Sequence, residues 1–181
     1  MLHSHKPYRL LSDERLARLA AGRDDRAFSS LYQRHERALL AYCRSITRDG
    51  EDARDALQSA ITAAYAAAPG RGHGSGPVRA WLFRIAHNES VNVLRRRRPD
   101  LPLVDTDLTP APSAADQTTQ RETAHEALAV VAQLPPRQRG ALVLRELHGL
   151  DYGEIAAALS VTEVNARQLV FAARNGVAAS R

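Results

Sequence analysis

Residues 99–121 are 23 consecutive positions rich in Pro, Asp, Thr and Ala, and their few large apolar side chains follow no period. This stretch limits the fold more than any other feature. Such a composition buries too little apolar surface to offset the entropy of ordering, so it reads as a flexible linker. It divides the 181-residue chain into a first part, 1–98, and a second part, 122–181. Each part is under ~100 residues, a size at which stability is marginal and a partner helps.

Charge follows the same division. Residues 1–99 hold 18 Lys/Arg against 10 Asp/Glu, residues 100–124 hold 1 against 5, and residues 125–181 hold 6 against 5. A basic first half followed by an acidic stretch points to nucleic acid. The one cysteine, Cys43, permits no intramolecular disulfide and no cysteine zinc site, and suits a reducing, cytoplasmic location. No apolar run is long enough to span a membrane, and the N-terminus shows no signal-peptide core.

Both parts read as all-α. Ser12 caps a helix over 11–22 that Gly22 ends. Phe28, Leu31, Tyr32, His35, Leu39, Tyr42 and Ile46 recur at helical spacing, and Asp49-Gly50 marks a turn. A third helix runs from about Asp52 to Ala68, and the glycine-rich stretch Pro69 to Pro77 is a flexible loop. A fourth starts near Val78, carries Trp81, Leu82 and Ile85 inward, and ends in Arg95–Arg98 before Pro99. In the second part, helices span about Glu122 to Gln133 and Pro136 to His148, with Gly149 as the stop. Two short helices follow, capped by Asp151 (with Glu154 completing a capping box) and by Thr162.

Those last two helices have the pattern of a helix-turn-helix. The first packs through Ile155 and Leu159. The second would present Glu163, Asn165, Arg167 and Gln168 to major-groove base edges, with Thr162 near a phosphate. An ordinary helical hairpin has the same periodicity, and the weak net charge of this part counts against strong DNA binding on its own. The fourth helix has a second stripe, Arg84, Asn88, Asn92 and Arg95, three to four apart and directly after the glycine-rich loop. Asparagine and arginine can bond bases, and arginine can contact phosphates. Trp81 fits the core better than a base stack, and His87 is the histidine best placed to touch nucleic acid. Read alone, each of these positions fits a solvated helix face; stripe, loop and arginine run together favour nucleic acid.

Enzymatic readings find no support. The seven histidines show no metal-ligand spacing, no Gly-Lys-Ser/Thr follows the glycines, and no serine sits in a nucleophile elbow. No cofactor is implied. Asp52 and Asp55 read as a charged contact face.

Taken together, the motifs resemble the extracytoplasmic-function sigma factors of the sigma-70 family. Asp52-Ala-Arg-Asp55-Ala-Leu-Gln58 and Arg79-Ala-Trp81-Leu-Phe-Arg84-Ile-Ala-His87-Asn88 resemble the family's region 2. Leu134-Pro-Pro-Arg-Gln138-Arg139 and Leu144-Arg-Glu146-Leu-His-Gly149-Leu-Asp-Tyr152-Gly-Glu154-Ile-Ala resemble region 4. The resemblance implies a region 2-like domain over 1–98, a linker over 99–121 and a region 4-like helix-turn-helix domain over 122–181. It implies a non-enzymatic subunit of RNA polymerase that recognises promoter DNA and melts the −10 element. Asp52, Asp55 and Gln58 would dock on the polymerase clamp helices. Arg79, Trp81, Arg84, His87, Asn88, Asn92 and Arg95 would serve the −10 element, with Asn88 and the 69–77 loop capturing a flipped base. Thr162, Glu163, Asn165, Arg167, Gln168 and Arg174 would serve the −35 element. Asp105 and Asp107 of the linker would mimic RNA phosphates.

The chain departs from the family pattern where −35 reading is at stake. Leu169 and Ala172 stand where the family usually has arginines, and Ser160 stands at the usual turn glycine. Ile61 and Tyr65 replace the usual Phe and Trp of the third helix. Arg167 is then the expected main reader of the major groove. The competing reading is a sigma-like interaction protein that binds an anti-sigma factor or polymerase without reading DNA itself. On either reading, control through an anti-sigma partner is expected.

Overall fold

A computed structural model describes residues 8–71, 76–97 and 129–179, and every regular element among them is helical. After a 3-10 turn at Tyr8–Leu10, the first half contains α1 (Asp13–Ala21), α2 (Asp25–Thr47), α3 (Gly50–Arg71) and α4 (Val78–Arg97). The second half has helical residues 129–133, then α5 (Pro136–Glu146), α6 (Tyr152–Leu159) and α7 (Glu163–Ala179). The linker 99–121, loop residues 72–75 and residues 122–128 lie outside the described residues.

Local chemistry explains the boundaries. Ser12 accepts from the Arg15 amide, and Asp24 accepts from the Arg26 and Ala27 amides to start α2. Gly22 closes α1 with an ordinary negative φ; the left-handed residue is its neighbour Arg23, at φ 66°. Asp49, read from sequence as a turn residue, caps α3, its carboxylate accepting from the amides of Glu51 and Asp52. The same helix runs through Arg71, so Pro69–Arg71 are helical where a loop was expected. A proline in a last turn forfeits one backbone hydrogen bond, too little to end a helix whose inner face is already packed.

α4 is the central element. Val78, Ala80, Trp81, Leu82, Phe83, Ala86, His87, Ser90 and Val93 are all buried, and they point around most of its circumference. One side packs on α2 and α3, and another packs on α6 of the second half. A continuous buried core joins Leu16, Tyr42 and Phe83 of the first half to Leu144, Leu150, Ile155 and Val170 of the second.

Close contacts mark the seam between the halves. The Tyr42 hydroxyl lies 2.9 Å from Nδ1 of His87, both side chains buried. A β-carbon at Gly140 of α5 would stand 2.8 Å from that hydroxyl and 3.6 Å from the His87 ring, so glycine lets α5 approach. The His148 ring lies 4.8 Å from that of Phe83, and Arg79 donates to the His148 carbonyl. Burial pushes the pKa of His87 down to about 4, with Arg137 adding to the effect, and lowers that of His148.

Candidate nucleic-acid and polymerase interface

On α3, Asp55 and Gln58 are exposed and one helical turn apart. Asp52 stands differently. It is buried, 6% exposed, and one of its oxygens lies 2.8 Å from Arg97 while the other has no hydrogen-bond partner. Desolvation raises its pKa, against the lowering effect of Arg97. Its visible role is to join α3 to the end of α4, which leaves Asp55 and Gln58 as the outward pair.

The α4 set also divides. Arg84, Asn88 and Arg95 are exposed along a narrow strip, with Asn92 half-buried beside them. Trp81 is in the core, as its apolar neighbours suggested. His87 is not at the surface: it lies in the seam, 5% exposed, against Tyr42. Arg79 faces the second half and the Phe83 ring, 5.9 Å from its centroid. Arg97 is spent partly on Asp52, so the arginine run does not act as one block. Sequence periodicity found the strip; it could not tell that a second apolar-lined side of α4, through Phe83 and His87, was already covered.

α6 and α7 form the predicted helix-turn-helix. Asp151 and Glu154 complete the capping box, Ser160 adopts the left-handed conformation at the turn, and Thr162 caps α7 by accepting from the Asn165 amide. Thr162, Glu163, Asn165, Arg167, Gln168 and Arg174 are all exposed. The two cations are engaged within the chain, however. Arg167 donates to Glu163 at 2.6 Å and lies 4.8 Å from the Tyr152 ring centroid, with Arg145 at 4.7 Å. Arg174 donates twice to one oxygen of Glu146, at 3.1 and 2.6 Å. Two residues not singled out from sequence share this surface: Val164, 63% exposed, and Phe171, 67% exposed. Their separation of seven placed them on one helical face, which was the available signal.

Residues 31–99 match the family model for sigma-70 region 2, and residues 124–175 match that for sigma-70 region 4. The ECF RNA polymerase sigma factor SigM of Mycobacterium tuberculosis is 38% identical over 156 residues, spanning 83% of this chain and 74% of that protein. The chain belongs to the extracytoplasmic-function sigma factors. It is thus a DNA-recognition regulator acting in transcription initiation. Among solved structures, CnrH in complex with the cytosolic domain of CnrY superposes with a TM-score of 0.70 at 28% identity, over 92% of this chain and 95% of that one. The sigma factor RpoE in complex with the anti-sigma factor NepR from Bartonella quintana shares the fold, with a TM-score of 0.64 at 22% identity, over 84% of this chain and 95% of that one. Among the described residues, no His/Cys/Asp/Glu group could hold a metal ion, and no helix is long and apolar enough to cross a membrane.

Proposed function

We propose that this sigma factor is a non-catalytic, cytoplasmic subunit that carries RNA polymerase core to its promoters through three separate surfaces. Asp55 and Gln58 dock on the polymerase. The α4 strip contacts the −10 element, with Asn88 capturing an extruded base and Arg84 and Arg95 holding the backbone. α7 addresses the −35 element. The working division is 1–98 for polymerase and −10 contacts, 99–121 as connector, and 122–181 for −35 contacts.

One observation carries this reading. α4 is buried around most of its girth, and the strip left open bears Arg84, Asn88 and Arg95. Base extrusion costs a few kcal/mol, which a pocket lined by hydrogen-bonding groups can recover without chemistry. Asn88→Ala in reconstituted holoenzyme tests it. Polymerase binding should be unchanged while open-complex formation falls. Wild-type melting by the variant would remove Asn88 from that role.

A second reading concerns regulation. The halves pack against each other along a buried seam, and both solved relatives named above are complexes with a second protein. An anti-sigma partner that holds this closed arrangement would keep the α4 strip and α7 from reaching one promoter together. Co-purification from native cells should yield a small protein that blocks polymerase binding. Recovery of only free protein or holoenzyme would point to control by synthesis or degradation.

A further inference from the structure

We infer that α7 recognises thymine by its C5-methyl group, through Phe171 and Val164, with Gln168 between them reading adenine. This rests on the proposal above that α7 enters the −35 major groove.

Sequence left Arg167 as the expected main major-groove reader of α7, with Leu169 and Ala172 at two positions where the family usually has arginines. Arg167 and Arg174 are held by Glu163 and Glu146, and those ion pairs would have to break before either guanidinium could reach a guanine. Among the exposed residues of α7, which also include Asn165 and Asn175, Val164, Gln168 and Phe171 form one outward row at steps of four and three. At a rise of about 1.5 Å per residue, Val164 and Phe171 lie about 10 Å apart along the helix. That is about three base-pair steps of 3.4 Å.

Base chemistry then selects the target. In the major groove only thymine presents a methyl group, and phenylalanine is among the side chains that contact it, while glutamine bonds adenine through N6 and N7. Scattered exposed apolar residues are ordinary on a protein surface. Here two of them flank an adenine reader on the face of a helix-turn-helix recognition helix, and contact with methyl groups would take both out of water. Such contacts carry no charge, so they add discrimination without adding salt dependence.

The test uses holoenzyme and a promoter fragment that it has selected from a random-sequence pool. Thymines of the −35 element are replaced one at a time, and then together, by deoxyuridine, which keeps every hydrogen-bonding group and lacks only the methyl. A −35-scrambled fragment is measured in parallel. Wild type should lose about fourfold in affinity for each contacted methyl, the value of one buried methylene-sized group. Phe171→Ala, at an exposed position where circular dichroism should show an unchanged fold, should bind the thymine fragment more weakly and lose sensitivity to at least one replacement. If scrambling weakens binding while deoxyuridine has no effect, α7 reads DNA by other means and this inference fails alone. If scrambling has no effect either, α7 does not read the −35 element and the underlying proposal fails with it. Full deoxyuridine sensitivity in Phe171→Ala would remove Phe171 from the contact.

Discussion

The Tyr42 hydroxyl and Nδ1 of His87 share a hydrogen bond of 2.9 Å, and Gly140 from the other half of the chain closes over them. A methyl at 140 would stand 2.8 Å from an oxygen whose ring is wholly buried and cannot swing aside. Gly140→Ala should therefore destabilise the protein by about 1–3 kcal/mol through overpacking, despite alanine's better helix propensity. Chemical denaturation measures it. The cost should shrink in a Tyr42→Phe background, where the clashing oxygen is gone; equal costs in both backgrounds would show that the seam yields elsewhere.

The same pair makes the fold acid-sensitive. His87 titrates near 4 in the folded chain and near 6.5 when unfolded. Between those values the unfolded chain binds more protons, so stability rises with pH there. The contribution is complete above pH 6.5, is lost as pH falls toward 4, and amounts to about 3 kcal/mol. His148 acts in the same direction. His87→Asn should flatten this part of the stability profile, measured by urea unfolding from pH 7.5 to 4.5. A slope unchanged by the substitution would place the sensitivity in other groups.

Ser160 holds the turn of the helix-turn-helix at φ 55°, a conformation that costs a residue with a β-carbon about 1 kcal/mol. Ser160→Gly should recover part of that, raising the melting temperature by about 1–3 °C. A lower melting temperature would mean that glycine's extra freedom in the unfolded chain outweighs the relief.

Arg97 and its neighbour Arg96 should behave differently. Removing Arg97 leaves the buried Asp52 carboxylate without its cation. Arg97→Ala should cost about 1–3 kcal/mol, toward the lower end because the guanidinium side is more than half exposed. Arg96→Ala should be neutral for stability. Thermal unfolding of the two variants, compared at one salt concentration, decides it, and equal effects would dismiss the Asp52 pairing as a stabilising contact.

Freeing the cations of α7 should strengthen non-specific DNA binding. In Glu146→Gln and Glu163→Gln, Arg174 and Arg167 lose their carboxylate partners. Each arginine that then reaches a phosphate should steepen the logarithmic salt dependence of holoenzyme–promoter affinity by about 0.9. Salt titration of single and double variants measures the slope, and slopes equal to wild type would show that neither arginine reaches the backbone.

Much of this protein is written in local chemistry. Helical periodicity, the caps at Ser12, Asp151 and Thr162, the stop at Gly149 and the Arg84–Asn88–Arg95 strip follow from side chains within a turn or two of one another, so the sequence determined them by itself. Family motifs in both halves were equally legible, because they are contiguous. The tertiary structure decided the rest. Whether His87 meets solvent or Tyr42, whether Asp52 faces outward or Arg97, and whether Arg167 and Arg174 are available or held by Glu163 and Glu146 depend on which surfaces pack together. α4 shows why. Its apolar and small residues nearly encircle it, so no single inward face stands out in the sequence. Only the second half, brought within reach by a glycine at 140, reveals that Phe83 and His87 are interior and that a narrow polar strip is what the helix leaves to solvent.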